Sequence, residues 1–187
     1  MQLVKKMRHD RINLARFRQG GRGGFTLIEV LIVVVILGIL GAMVLPKFSD
    51  ASNTTRENTL KDDLRYVRTQ IIVFKAQHGD TAPGYAGGKT SAKPSEQDFL
   101  LQMTGYTDGS CKVVEAATPN RLGPYLKEMP VNPLNGLKTM MIVSNGSSMP
   151  PAGKPDNSTG WIYKPQTLEI IPNTSGNDSE GTPYAEY

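Results

Sequence analysis

FTLIEVLIVVVILGILGAMVL, Phe25–Leu45, is twenty-one residues carrying a single charged side chain, Glu29. At ~1.5 Å per residue a helix of this length extends about 31 Å, close to the ~30 Å hydrocarbon thickness of a bilayer. Seven basic residues, Lys5, Lys6, Arg8, Arg11, Arg16, Arg18 and Arg22, all precede it. The positive-inside bias then leaves the N-terminus cytoplasmic and sends the C-terminal part across the membrane.

The leader Met1–Gly24 has a net charge of +6 and the remainder −2, so the pI of about 9.2 belongs to the leader. The folded part therefore gives no reason to expect a nucleic-acid partner. A chain of 187 residues accommodates one modest domain, which excludes a large multidomain enzyme. Its lone cysteine, Cys111, cannot form an internal disulfide and reads as a small buried apolar residue. An ordinary signal peptide shares the basic start, but the apolar run exceeds a usual h-region, and the tolerable small-x-small site after it is Ser49-Asp50-Ala51. A mitochondrial transit peptide suits the Arg-rich leader, yet it does not account for a hydrophobic span beginning at one sharp boundary.

That boundary, Gly23-Gly24-Phe25-Thr26-Leu27-Ile28-Glu29-Val30, resembles the processing site of type IV pilins and of the pseudopilins of type II secretion systems. The resemblance is tight over Gly23 to Pro46 and general beyond. It implies that a membrane aspartyl peptidase, the prepilin peptidase, cuts after Gly24 and N-methylates Phe25. It also implies that Glu29 pairs with the Phe25 ammonium of a neighbouring subunit during assembly.

The residues have their own chemistry beside the resemblance. Gly24 has no side chain, so its backbone can approach a protease closely. A carboxylate within an apolar span costs up to ~2.5–3.5 kcal/mol at mid-helix, so Glu29 calls for a partner or a proton. The alternative is an interfacial Glu favoured by the positive N-terminal end of a helix. Gly38 and Gly41, with Ala42, put small residues on nearby turns where helices approach closely. Pro46 closes the run and marks a kink, a melted turn or simply the end of the span.

Residues 47–78 hold neither Gly nor Pro, whereas residues 79–187 hold thirteen Gly and twelve Pro. Leu60, Leu64, Val67, Ile71 and Phe74 recur at helical spacing, with Arg65, Arg68 and Lys75 off the stripe, and Gly79 reads as the C-cap. The sequence thus predicts one helix over residues 25–78, about 81 Å long at ~1.5 Å per residue if unbroken. Eight of the thirteen residues from Lys47 to Thr59 are Ser, Thr, Asn or Asp, which weakens the helix there. Thr54 and Glu57 have the spacing of a capping box that would start a second helix.

Beyond Gly79 the pattern predicts a flexible loop to Lys93 and a short helix capped by Ser95 with Asp98 as its third-position acid. Strands follow at Val113-Val114 and Leu137–Ser144. A hairpin of Trp161–Tyr163 with Leu168–Ile171 turns around Pro165-Gln166-Thr167. The tail 173–187 is polar enough to be partly disordered. The fold class is α+β, with a long helix packed on a small antiparallel sheet as the pilin family implies. The organisation is a leader at 1–24, a transmembrane or filament-core helix at 25–46, its amphipathic continuation at 47–78 and an exported domain at 79–187.

For catalysis the sequence offers little. His78 is the one histidine left after processing and sits at a predicted helix end, no His/Cys/carboxylate spacing suggests zinc, and no Gly-rich phosphate loop follows a strand. The resemblance is strongest to major pseudopilins of type II secretion, in which a calcium ion orders the C-terminal loop. Asp178 and Glu180, beside Gly181, are the carboxylates available for that ion here, in a turn-like stretch rather than an Asp-rich one. The resemblance implies a single-pass inner-membrane subunit with a periplasmic domain that self-associates into a filament. Its partners would be the peptidase, an inner-membrane platform with a cytoplasmic ATPase, and minor pseudopilins. A surface type IV pilus subunit and a monomeric membrane-anchored binding or catalytic domain are the alternatives. Type IV major pilins commonly carry a C-terminal disulfide loop, which one cysteine cannot make.

Overall fold

A computed structural model describes residues 24–187, and the chain divides into two units at Val44/Leu45. Helix α1 spans Leu27–Gln77. Pro46, which has no N–H to donate, and the polar stretch to Thr59 both lie within α1, so no second helix starts there. Within that stretch the Thr55 and Thr59 hydroxyls donate back to the carbonyls of Ala51 and Thr55, which absorbs their competition with the backbone. Thr54 lies inside the helix rather than at a start. At the other end Gly79 takes φ +58°, and Asp80 N–H donates to the Lys75 carbonyl, closing the helix with a left-handed turn.

In the second unit, α1 buries the expected stripe. Leu60, Leu64, Val67, Ile71 and Phe74 are all sealed from solvent. They pack with Phe99 and Met103 of α2 (Glu96–Thr104) and with Cys111, Tyr125, Leu126 and Met129 of the loops. Helix α2 begins as its sequence dictates: the Ser95 hydroxyl accepts from Asp98 N–H and donates to the Asp98 carboxylate.

Strands β1 (Tyr106–Thr107) and β2 (Val113–Val114) form a small antiparallel pair. The larger sheet has the order β3-β4-β5: Met140–Ile142, Trp161–Lys164 and Glu169–Pro172. Strands β4 and β5 are the expected hairpin, with Ile162 opposite Ile171 and Tyr163 opposite Ile170. Strand β3 joins β4 in parallel, which makes this sheet mixed. Alternation sorts its faces. Trp161, Tyr163 and Ile170 meet the α1 core, while Ile162, Ile171 and Val143 make a second small cluster on the opposite face. Pro172 is tolerated because β5 is an edge strand.

Short strands leave much backbone without a ladder partner, and buried amides take over that role. Gln102 of α2 accepts from Gly84 N–H and donates to the carbonyls of Tyr85 and Cys111. This ties down Ala82–Tyr85, all buried, so the predicted flexible loop is anchored at its start. Asn132 donates to Gly160 O and Thr174 Oγ1. Asn173 accepts from Asp156 N–H and donates to the Asp156 carboxylate and Thr159 Oγ1. Donors from Ser158 first, then Asn173, hold Asp156 at a pKa of about 2. That stabilisation is complete above the usual Asp range and is lost as pH falls towards 2. Gly160 is obligatory here, because a Cβ would lie 2.1 Å from the Leu137 carbonyl oxygen.

The tail departs from its predicted disorder. Asn173, Thr174 and Asp178 are buried, Asn177 bridges to Pro183, and a 3-10 turn spans Tyr184–Glu186. Its polar groups are ordered by polar partners on α1, described below.

Two substitutions test this packing in a soluble fragment starting at Thr54. Phe74→Ala should destabilise it by about 3–5 kcal/mol, whereas Arg65→Ala, on an exposed face, should stay within about 0.5 kcal/mol in thermal or urea melts. Arg68 is unsuitable as the control despite lying off the stripe, since it is half-buried and donates to the carbonyl of Ile170. The Tyr163 hydroxyl is buried with no hydrogen-bond partner among the described residues. Tyr163→Phe should therefore leave stability unchanged or raise it; a loss above about 1 kcal/mol would reveal a partner for that hydroxyl.

Candidate functional site

The chemistry-bearing end of the molecule is the start of α1. Thr26 and Glu29 form a reciprocal capping box there. Glu29 N–H donates to Thr26 Oγ1 at 3.3 Å, while Glu29 Oε2 accepts from both Thr26 N–H and Thr26 Oγ1 at 2.7 Å. This answers the demand for a partner from within the same chain: the carboxylate satisfies N-terminal donors that the helix leaves orphaned and sits at the positive end of its dipole. The signal was in the sequence as Thr-x-x-Glu ahead of an apolar run.

Gly24 lies outside α1, and among the described residues an added Cβ would meet nothing within 4 Å. Phe25 is 87% exposed.

Leu27–Val44 is long and apolar enough to cross a membrane, and none of it is buried within the chain. Consecutive residues from Leu31 to Leu37 are all at least half exposed, so the apolar surface runs around the whole helix rather than along one stripe. Such a helix needs lipid or other apolar helices on every side. Gly38 and Gly41 have open space where a Cβ would be. They lie on neighbouring turns with Ala42, a face on which another backbone can come close.

The other sequence-derived site residues lie in the C-terminal loop. Asp178 and Glu180 are adjacent in the turn but differ in role. Glu180 is exposed and offers its backbone N–H to Asp178 Oδ1 at 2.9 Å. The Asp178 side chain is 2% exposed. Its Oδ1 also accepts from Thr182 N–H at 2.8 Å, and its Oδ2 accepts from the Tyr187 hydroxyl at 2.6 Å and faces Lys61 Nζ at 3.6 Å. The Tyr187 hydroxyl leads the interactions that lower the Asp178 pKa. Glu57, also buried, accepts from Ser179 N–H and Oγ and from the Tyr184 hydroxyl. Among the described residues no three His, Cys, Asp or Glu side chains gather as a metal cluster.

His78 is neither a solvent-facing cap nor part of a catalytic pair. It is buried, stacked on Phe74 at 3.8 Å, and hydrogen-bonded through Nδ1 to Phe74 O and through Nε2 to Thr107 Oγ1. Cys111 is buried in the core, and burial pushes its thiol pKa up, away from reactivity.

Comparison with known proteins agrees with this arrangement. The prokaryotic N-terminal methylation motif matches residues 20–45. The chain is 30% identical over 112 residues to type II secretion system core protein G of Pseudomonas aeruginosa, covering 60% of this chain and 68% of that protein. It is 30% identical over 110 residues to the type IV major alpha-pilin of Moraxella bovis, covering 52% of this chain and 69% of the pilin. A fimbrial protein of Pseudomonas aeruginosa is 28% identical over 100 residues, covering 49% and 65%. No solved structure matches the chain.

The capping box has a measurable signature. Thr26→Ala should weaken the first turn of α1 by about 1 kcal/mol, read as a roughly fivefold rise in amide exchange at residues 28–30 of the detergent-solubilised chain. Unchanged exchange there would mean that the hydroxyl contributes nothing to the cap.

Proposed function

The chain belongs to the family of type IV pilins and type II secretion pseudopilins, and we propose that within it this protein is a pseudopilin, the structural subunit of a periplasmic filament in type II protein secretion. The observation that carries the choice is the single, buried Cys111. A C-terminal disulfide loop of the kind common in type IV major pilins is closed to it. The similarity to a type II secretion core protein also extends over more of this chain than that to the alpha-pilin, 60% against 52%. The second reading, a subunit of a surface type IV pilus, is favoured by the equal 30% identity to that pilin.

In this reading the prepilin peptidase cuts after Gly24. That no described residue crowds Gly24 fits a glycine read by an outside partner. The apolar helix then rests in the inner membrane with its domain on the periplasmic side. Glu29 is kept satisfied by Thr26 until a neighbour arrives. Both Thr26 bonds land on Oε2, so Oε1 is the oxygen that an incoming Phe25 ammonium would take. Packing of one apolar helix against others in the filament replaces lipid, with Gly38, Gly41 and Ala42 permitting close approach. The assembly platform, its ATPase and the minor pseudopilins would supply the work and the start point, and the growing filament would move cargo.

Intact-mass spectrometry of the membrane-extracted protein should show a chain starting at methylated Phe25; the full leader persisting beside an active peptidase would end this reading. Glu29→Val should be processed normally yet give little filament. Deleting the gene should abolish secretion of exported enzymes while leaving twitching and DNA uptake intact. The reverse pattern would assign the chain to a surface pilus.

A further inference from the structure

The tail around Asp178 is held by a set of contacts whose donors do not match the calcium site that the resemblance to major pseudopilins implies. A calcium ion takes six to eight oxygen ligands and competes for carboxylate lone pairs. At Asp178 those lone pairs are engaged by two backbone N–H groups and a phenol, and the Lys61 ammonium stands 3.6 Å from Oδ2. Lys61 also lies over the Tyr187 ring, 4.4 Å from its centre, so a divalent cation at this carboxylate would meet a like charge at close range. Glu57 is likewise committed, its oxygens taken up by Ser179 and Tyr184.

The donors come from one flank of α1. Lys61 and Arg68 are seven residues apart, two turns along the same side of the helix. Lys61 faces Asp178, and Arg68 donates from Nη2 to the backbone oxygens of both Ile170 and Tyr187. Together with Glu57 they grip the tail from α1 at three heights. A buried carboxylate without a counter-charge or full hydrogen bonding is costly, and here a lysine and a tyrosine supply what an ion would otherwise supply.

We infer that α1 itself clasps the C-terminal loop, with Lys61 and Arg68 in place of a bound metal, so that this subunit orders its tail without calcium. The clasp is intact at neutral pH. Because the Asp178 pKa is lowered, the stability it contributes is present above the usual Asp range and is lost only as pH falls through the lower, folded value. The inference holds for either kind of filament, so it stands or falls separately from the proposed function.

The test is hydrogen exchange on the full chain in detergent, following peptides from residues 174–187 with excess EGTA and with millimolar calcium chloride. Wild-type protection should be the same in both. In both buffers Arg68→Met should raise exchange in this segment roughly tenfold, the scale of a hydrogen bond to a charged group, and Lys61→Met, which removes an ion pair at 3.6 Å, about threefold. Tyr187→Phe removes one hydroxyl only and should act in the same direction, which keeps the test valid if a charge variant fails to fold. Loss of wild-type protection in EGTA would overturn the inference, as would wild-type protection in all three variants.

Discussion

Everything in the second unit, Leu45–Tyr187, depends on one face of α1 being covered. Five large side chains, Leu60, Leu64, Val67, Ile71 and Phe74, lie on it, and each contributes about 1.5–3 kcal/mol by leaving water. Among the described residues every other element is short: α2 has nine residues, β4 and β5 four each, β3 three, and β1 and β2 two each. The sheet, α2 and the loops are arranged so that each adds side chains to this one surface. The other half of the same helix is apolar on all sides and has no cover among the described residues. One helix thus presents two different demands, one met by the chain itself and one left for lipid or for other subunits.

The stripe continues in register beyond its apolar members. Glu57 lies three residues before Leu60 and His78 four after Phe74, and both are buried. The buried face therefore ends in polar groups, Glu57 on the helix and His78 just past its last residue, each given a specific partner: Ser179 and Tyr184 for Glu57, Thr107 for His78. Such partners fix the register of the docked loops in a way that apolar contacts, being non-directional, do not.

Much of this was legible in the residues. The apolar stripe, the Ser95 cap, the β4–β5 hairpin and the Gly79 terminus follow from periodicity and from local turn chemistry. Thr-x-x-Glu occurs twice, at Thr26 and at Thr54, and only the first is a cap. The second sits where helical hydrogen bonding continues on both sides, and its glutamate is drawn to the tail instead. Spacing cannot tell these apart, because the difference lies in what packs nearby. Asn132, Asn173 and Gln102 were illegible for a related reason: amide side chains in Gly/Pro-rich stretches look like surface until the backbone they satisfy is known. The tail looked disordered because its composition is polar, while its order comes from nearby side chains such as Asn132 and Asp156 and from groups on α1 more than a hundred residues away. Arg68 looked peripheral by pattern, but it lies four residues after Leu64 and three before Ile71, beside the stripe, and its long stem lets the guanidinium reach across.

The distances in sequence between α1 and the tail set a schedule for making the molecule. Arg68 bonds to residues 102 and 119 positions later, and Glu57 to residues 122 and 127 positions later. Helix α1 leaves the ribosome well before the residues that cover it. At roughly 5–20 residues per second the apolar face waits on the order of ten seconds for its partners. During that interval it is a long, sticky, half-finished surface, and closing such remote contacts is intrinsically slow. The buried face of α1 is fully covered only after the tail residues that Glu57 and Arg68 hold have arrived.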